Sequence, residues 1–155
     1  MRPASPILYI SASPRAFHNR RVMSALSGGP LQANRAERSI FQYRIRIDNV
    51  GEDTVTVLGR EWRIFNDDGS LHREIRRGTS ESRMVVGLQP ILEPGDSFTY
   101  YSGTDVKSSS GFMEGSFEVA SGAVHYAEMN THEAPDLDVY YARVAPFQLL
   151  SPPSD

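Results

Sequence analysis

The stretch that decides the fold is Phe41-Gln42-Tyr43-Arg44-Ile45-Arg46-Ile47-Asp48. Apolar or aromatic residues occupy the odd positions of this stretch, and polar residues occupy the even positions. Successive side chains of a β-strand point to opposite faces, so strict alternation predicts a strand with one face buried and one face in water. Beyond this stretch, Gly and Pro recur at short intervals, and β-branched and aromatic residues fill the gaps between them. This pattern is typical of a β-rich domain.

Turn motifs bound the further strands. Asn66-Asp67-Asp68-Gly69 is a strong turn, and Glu93-Pro94-Gly95-Asp96 fits a type II turn with Gly at the position that needs a positive φ. Inside the second strand, the apolar positions change parity beside Gly59, which suggests a β-bulge. Residues 76–83 and 104–110 are polar and are predicted to be loops. The predicted strands are seven in number: 41–48, 54–65, 71–75, 84–92, 97–102, 112–119 and 139–149.

These seven strands, with no convincing helix between them, predict an all-β fold. We expect a two-sheet antiparallel β-sandwich of the immunoglobulin or fibronectin III kind, with a barrel as the alternative. The predicted domain covers residues 37–150, follows an N-terminal extension of residues 1–36, and precedes a tail of residues 151–155. The length of 155 residues suits one domain of this size.

The N-terminal extension differs in composition from the domain. Residues 1–36 hold five Arg, five Ser and no acidic residue, so their charge is +5, whereas residues 37–155 carry 11 − 19 = −8. An Arg-rich, Ser-rich and acid-poor leader is typical of an organellar transit peptide. We therefore expect a mitochondrial protein, with a plastid or cytoplasmic location as alternatives. A basic tail or a docking arm is the other interpretation, because fifteen of the sixteen Lys+Arg residues of the chain are Arg.

The composition excludes several classes of protein. The chain has no Cys, so disulfides, thiol nucleophiles and Cys-based metal sites are ruled out. No run of about 18 apolar residues is present, and no transmembrane segment is expected. The acidic domain would repel phosphate backbones, and the chain carries no recognisable nucleic-acid-binding motif, so no direct binding to nucleic acid is expected.

The chain contains, in order, the segments Tyr43–Asn49, Gly59–Ile64, Val85–Gly103, Gly111–Phe117 and Pro146–Leu149. Together these five segments resemble the motifs of the ApaG domain family, over residues 39–150. The resemblance implies a fibronectin III-like sandwich, in agreement with the strand count, but no established reaction. Bacterial members are small proteins that are sometimes linked to divalent cations, and eukaryotic members use the domain to contact other proteins.

Each candidate for chemistry has a plainer interpretation. Many members of the family carry Gly-x-Gly-x-x-Gly before a Gln-Pro pair, but here Ser82 and Met84 replace the first two glycines and only Gly87 is left, so a nucleotide site is not expected. Ser108-Ser109-Ser110 lacks the surroundings of a catalytic serine and fits a polar loop. His125, Glu128, His132, Glu133 and Asp136 lie in one stretch that could bind a divalent cation, but an acidic partner-contacting loop is favoured.

We therefore expect no catalytic, cofactor-binding or metal-binding residues. The predicted function is that of a non-catalytic protein-binding module, an accessory subunit of a larger mitochondrial assembly whose partners are other protein subunits. A soluble divalent-cation or small-ligand binder is the first alternative, and an enzyme acting on a nucleotide or phosphoester is the second. The aromatic residues Trp62, Tyr100, Tyr101 and Phe117 are expected to pack in the core, with partner contact as the other possibility.

Overall fold

In the computed structural model, the protein is described over residues 7–15, 21–22, 38–125 and 138–150. These residues form nine strands and one short 3₁₀ segment, Ser80–Ser82. The strands are β1 (Leu8–Arg15), β2 (Arg21–Val22), β3 (Arg38–Asn49), β4 (Val55–Asn66), β5 (Leu71–Ile75), β6 (Ile91–Leu92), β7 (Ser97–Val106), β8 (Gly111–Ser121) and β9 (Val139–Leu149).

The strands form two antiparallel sheets, and the predicted all-β sandwich is confirmed. In the first sheet, β3 lies in the middle, β1 and β2 pair with one of its edges, and β7 pairs with the other. The second sheet has the order β5-β4-β8-β9, and β6 also pairs with β4. Every pairing is antiparallel, as expected for strands joined by short turns.

The core lies between the two sheets and follows the alternation of β3. Phe41, Tyr43, Ile45 and Ile47 are buried, while the residues between them are half-buried or exposed. They face the apolar side chains of β4 and β8, of which Trp62 is the largest. The alternation in the sequence therefore identified the inward face of the central strand correctly.

The predicted bulge in β4 is confirmed. The pairing of β4 with β8 changes register between Val57 and Gly59, and this places Leu58 in a small second cluster away from the main core. A Cβ on Gly59 would collide with the backbone carbonyl of Ser82, so only glycine allows the bulge and the 3₁₀ segment to approach each other this closely.

Two local predictions were wrong. The predicted strand 84–92 is mostly not a strand, because Val86 and Gly87 both have positive φ and form a tight turn that ends in a single bridge between Val85 and Leu88. Pro90, which has no N–H, follows, and only Ile91–Leu92 pairs with β4. Conversely, part of the predicted loop 104–110 is strand, since β7 continues to Val106 and pairs there with Ser39 of β3.

The predicted N-terminal extension contributes a strand to the sandwich. Residues 8–15 pair in continuous register with residues 42–49 of β3, and Leu8, Ile10 and Ala12 pack against the main core. The sequence did not indicate this strand, because its alternation is weak and interrupted by serine and proline. Residues 1–6, 16–20 and 23–36 of the extension and the tail of residues 151–155 lie outside the described residues.

Candidate functional site

The strongest candidate site is a groove on the outer face of the β5-β4-β8-β9 sheet, with a volume of about 610 Å³. Its floor is made by β4 and β8, and its sides are the residues that end or follow β5 and the first half of β9. The floor is low at Ser116, because serine has a short side chain. The lining residues that carry a charge or an exposed aromatic ring are Glu61, Arg63, Glu74, Arg76, Arg77, Glu114, Tyr141 and Arg143.

Acidic and basic side chains alternate across the strands of this groove. In the register of the sheet, Arg63 lies opposite Glu74 on one side and opposite Glu114 on the other. The Nε of Arg63 lies 3.8 Å from a carboxylate oxygen of Glu114, and the Nε of Arg76 lies 3.3 Å from one of Glu74. Opposite charges on neighbouring strands stabilise a sheet modestly, so most of the charge in the groove is compensated within it.

Glu61 is the centre of a second, tighter network. Its Oε1 accepts a hydrogen bond of 2.7 Å from a guanidinium nitrogen of Arg77 and a short one from the hydroxyl of Ser116. Partial burial opposes ionisation of Glu61, but these two hydrogen bonds and the charge of Arg77 outweigh it, so the pKa of Glu61 is lowered. Burial alone would lower the pKa of the Arg77 guanidinium, but the hydrogen bond and the negative charge of Glu61 outweigh it and raise that pKa. Glu61 and Arg77 therefore form one ion pair.

The Arg77 side chain also covers an aromatic ring. Its guanidinium carbon lies 3.4 Å from the ring centroid of Tyr141, which is the geometry of a cation–π contact. Arg77 therefore bridges Glu61 of β4 and Tyr141 of β9 across the face of the sheet and closes one end of the groove. Tyr141 remains 47% exposed, so a partner molecule can reach the ring.

The lowered pKa of Glu61 predicts how the stability of the protein depends on pH. A carboxyl whose folded pKa is below its unfolded pKa, about 4.3, stabilises the fold above that value and loses this contribution as the pH falls through the folded pKa. Urea unfolding of the wild type and of Glu61→Gln between neutral and acidic pH should therefore show a steeper loss of stability on acidification in the wild type. Equal pH dependence of the two proteins would contradict this. Glu74→Gln, which removes a carboxylate of the same groove that pairs with Arg76, is the matched control.

The sequence singled out Trp62, which lies beneath the groove, but none of the charged or exposed residues that line it. The alternation that buries Trp62 and Ile64 does place Glu61 and Arg63 on the opposite face, and the same rule places Tyr141 and Arg143 opposite Ala142. That signal marks them as solvent-facing, which is the ordinary state of charged side chains. Their convergence depends on the order of four strands, and the sequence does not contain that order.

The aromatic residues named from the sequence divide between core and surface. Trp62, Tyr100 and Phe117 are at most 4% exposed, and the rings of Trp62 and Phe117 meet edge to face at 5.7 Å, as do those of Tyr100 and Phe117 at 6.3 Å. Core packing is confirmed for these three. Tyr101 is 44% exposed on the other sheet and lies far from the groove lining.

The segment that replaces the glycine-rich motif forms no phosphate cradle. Ser82 ends the 3₁₀ segment and its hydroxyl donates to the carbonyl of Thr79 at 2.8 Å, while Gly87 lies in the tight turn described above. The next regular element is the two-residue strand Ile91–Leu92 and not a helix. The helix N-terminus on which such a motif depends is therefore missing from residues 80–92.

The structure describes the contacts of Ser108, but it describes only the first residue of the acidic stretch. Ser108 holds its own turn, since its hydroxyl donates to the carbonyl of Ser110 at 2.5 Å and accepts from the N–H of Asp67 at 2.9 Å. His125 is the last described residue before the acidic stretch, and Glu128, His132, Glu133 and Asp136 lie outside the described residues. Within the described residues, no three His, Asp or Glu side chains come together as a metal site would require. A partner-contacting role for this stretch stays a prediction.

The comparison with protein families agrees with this fold. The ApaG domain model matches residues 31–121, which is more than half of the chain. The chain belongs to the ApaG domain family. The resemblance inferred from the five sequence motifs is thereby confirmed.

Curated ApaG proteins of bacteria are similar to the chain. The ApaG protein of Nitrosomonas europaea is 41% identical over 93 residues, which cover 59% of this chain and 68% of that protein. The ApaG protein of Methylobacterium radiotolerans is 42% identical over 86 residues, covering 56% of this chain and 62% of that protein. Among solved structures, the putative ApaA protein of Bordetella pertussis matches with a TM-score of 0.70 and 25% identity, over 98% of this chain and 100% of that one.

These relatives correct the predicted localisation. They are bacterial ApaG proteins, so the mitochondrial assignment is wrong, and the leader is not supported as a transit peptide. The basic composition that suggested import has another explanation in the abundance of Arg throughout the chain, and residues 8–15 serve as a strand of the ApaG sandwich. In the part of the chain that the structure describes, no helix is long and apolar enough to cross a membrane.

Proposed function

We propose that this ApaG-type protein is a non-catalytic protein-binding module, an accessory subunit that contacts its partner through the outer groove of the β5-β4-β8-β9 sheet. The observation that carries the proposal is the Arg77–Tyr141 contact over Glu61, an aromatic ring and a guanidinium held in place at the solvent-facing surface. Tyrosine and arginine are enriched among the residues that dominate protein interfaces. Fixing them before binding lowers the entropy cost of forming an interface.

The shape of the groove favours a polypeptide over a small molecule. Small-molecule sites are concave, mostly apolar and bury most of the ligand. Here the sides are made by long side chains that are themselves open to water, with Arg63 61% and Arg76 75% exposed. A chain segment laid along the strands could contact both sides of such a groove, whereas a small ligand would remain in water on its open face.

Site-specific photocrosslinking tests the proposal. A photoreactive phenylalanine analogue placed at Tyr141 in the full chain should give a discrete protein adduct in the cells that express it, identified by mass spectrometry. The same analogue at Tyr101, which is exposed to a similar extent on the other sheet, is the matched control and should give none. Native gel migration of the untagged chain should show an assembly that contains the crosslinked protein.

Two results would contradict the proposal. One is crosslinking of equal pattern and yield from positions 141 and 101, which would mean that the groove is not a specific surface. The other is the absence of any protein adduct at 141 together with migration of the chain only at its own mass of 17.3 kDa.

A further inference from the structure

We infer that the groove recognises an extended acidic peptide segment and that Arg143 binds its carboxylate. This inference rests on the proposed function and adds the chemistry of the partner. The inference is argued from the ion pairs within the groove. Three of the four arginines of the lining have an acidic partner there, and Arg143 is left to bind a ligand.

Three arginines of the lining already have acidic partners. Arg63 faces Glu114, Arg76 faces Glu74, and Arg77 is bound by Glu61. For Arg143, no ion pair or hydrogen bond with another side chain occurs within the described residues. Its cross-strand neighbour on β8 is Ser116, whose hydroxyl is directed to Glu61.

The local charge also favours an acidic ligand. The groove lining carries four arginines against three glutamates, a balance of +1, while residues 37–155 as a whole carry −8. The lining is therefore less acidic than the domain as a whole, and a carboxylate that approaches this face meets less repulsion than it would elsewhere on the domain. A basic segment would be drawn elsewhere on the domain and would meet Arg143 with repulsion.

The position of Arg143 fits a ligand that lies along the strands. Arg143 and Tyr141 are two residues apart on β9 and thus project from the same face, next to the low floor at Ser116. A guanidinium binds a carboxylate in a planar two-bond geometry, which is stronger and more directional than a lysine contact. The ligand would lay an apolar or aromatic side chain near Tyr141 and an Asp or Glu side chain on Arg143.

The test uses random peptides that are selected for binding to the full-length protein. A phage-displayed library of random linear peptides is panned on the folded protein, and selected sequences are synthesised with a fluorescent label for anisotropy titration. We expect the selected peptides to share an Asp or Glu, and replacement of that residue by its amide to weaken binding by about tenfold or more. Arg143→Gln should weaken the acidic peptide to a similar extent and leave the affinity of the amide peptide nearly unchanged.

Control variants separate the inference from the proposed function. Arg46→Gln removes an exposed arginine from the other sheet, where it is paired with Asp48, and should leave binding unchanged. A charge exchange, Arg143→Glu with the acidic residue of the peptide replaced by Arg, should restore binding. Thermal unfolding of each variant shows whether it is folded, which is expected for an exposed position.

The outcomes are distinguishable. In one outcome, Tyr141→Ala weakens binding of the selected peptides, but these share no acidic residue and Arg143→Gln does not change their affinity. This result would overturn the carboxylate inference and support the groove as a binding surface. If none of the selected peptides responds to Tyr141→Ala, the proposed function fails together with the inference.

Discussion

Replacement of Trp62 by alanine should destabilise the domain by about 3–5 kcal/mol, the range typical of a deleted core aromatic. Trp62 is 1% exposed, and its ring meets Tyr43, Phe117 and Phe147 at centroid distances of 6.1, 5.7 and 6.2 Å. These partners belong to β3, β8 and β9, so the residue joins both sheets. Because small domains are stable by only about 5–15 kcal/mol, such a loss brings the protein close to unfolding.

Urea unfolding followed by circular dichroism measures this loss. Tryptophan fluorescence is unsuitable, since Trp62 is the one tryptophan in the chain and the variant lacks it. Trp62→Phe keeps an aromatic ring in the core and should cost clearly less than Trp62→Ala. Val50→Ala, which truncates an exposed side chain just after β3, should change the stability by about 0.5 kcal/mol or less. A cost for Trp62→Ala no greater than that of the Val50 variant would show that the core does not depend on the Trp62 ring.

The second large effect is expected for Gly115→Ala, a change of one methyl group. A Cβ at this position would collide with the backbone carbonyl of Glu61 and would come within 2.5 Å of the ring carbon Cε3 of Trp62. Neither obstacle is the flexible end of a long side chain, so β4 and β8 would have to separate. Overpacking of this kind typically costs about 1–3 kcal/mol and sometimes more.

Gly103→Ala is the matched control for this variant. Gly103 also lies inside a strand and has no positive φ, but a Cβ there would meet only the carbonyl oxygen of Phe41, at 3.3 Å. We expect the control to lower the urea midpoint much less than Gly115→Ala. Similar midpoints for the two variants would mean that β8 can move away from β4 without cost, contrary to the close packing of these strands.

Both predictions concern the support of the groove as well as stability. Trp62 lies between Glu61 and Arg63 in β4, and Gly115 lies between Glu114 and Ser116 in β8. The buried residue fixes the strand, and its two neighbours project from the other face into the groove. Milder variants that leave the protein folded, such as Trp62→Phe, should therefore preserve peptide binding, which distinguishes loss of the fold from loss of the site.

Local sequence patterns were sufficient where one strand or one turn decides the structure. The alternation in residues 41–48 identified the central strand and its buried face. The Gly59 bulge and the Pro94-Gly95 turn also followed from local rules, and Gly95 has a φ of +89° with the N–H of Asp96 donating to the carbonyl of Glu93 at 2.9 Å.

Local patterns failed where the neighbours of a segment decide its structure. The stretch 84–92 is rich in apolar residues, as a strand would be, but a tight turn at Val86 and Gly87 interrupts it. Residues 8–15 have little strand pattern, yet they complete the first sheet because the free edge of β3 offers them backbone partners. For residues 8–15 the outcome depends on β3, which is distant in the chain, whereas residues 84–92 are interrupted by a turn within the segment itself.

The sequence by itself determined that this is an all-β domain with a buried face on β3. It did so because successive side chains of a strand point to opposite faces, so a half-buried strand shows as alternating apolar and polar residues. Only the tertiary structure decided where a binding surface lies. Glu61, Arg77, Ser116, Tyr141 and Arg143 come from four separate parts of the chain, and each is unremarkable in its own surroundings. They meet because the order β5-β4-β8-β9 lays these strands side by side, and that order results from packing in the core.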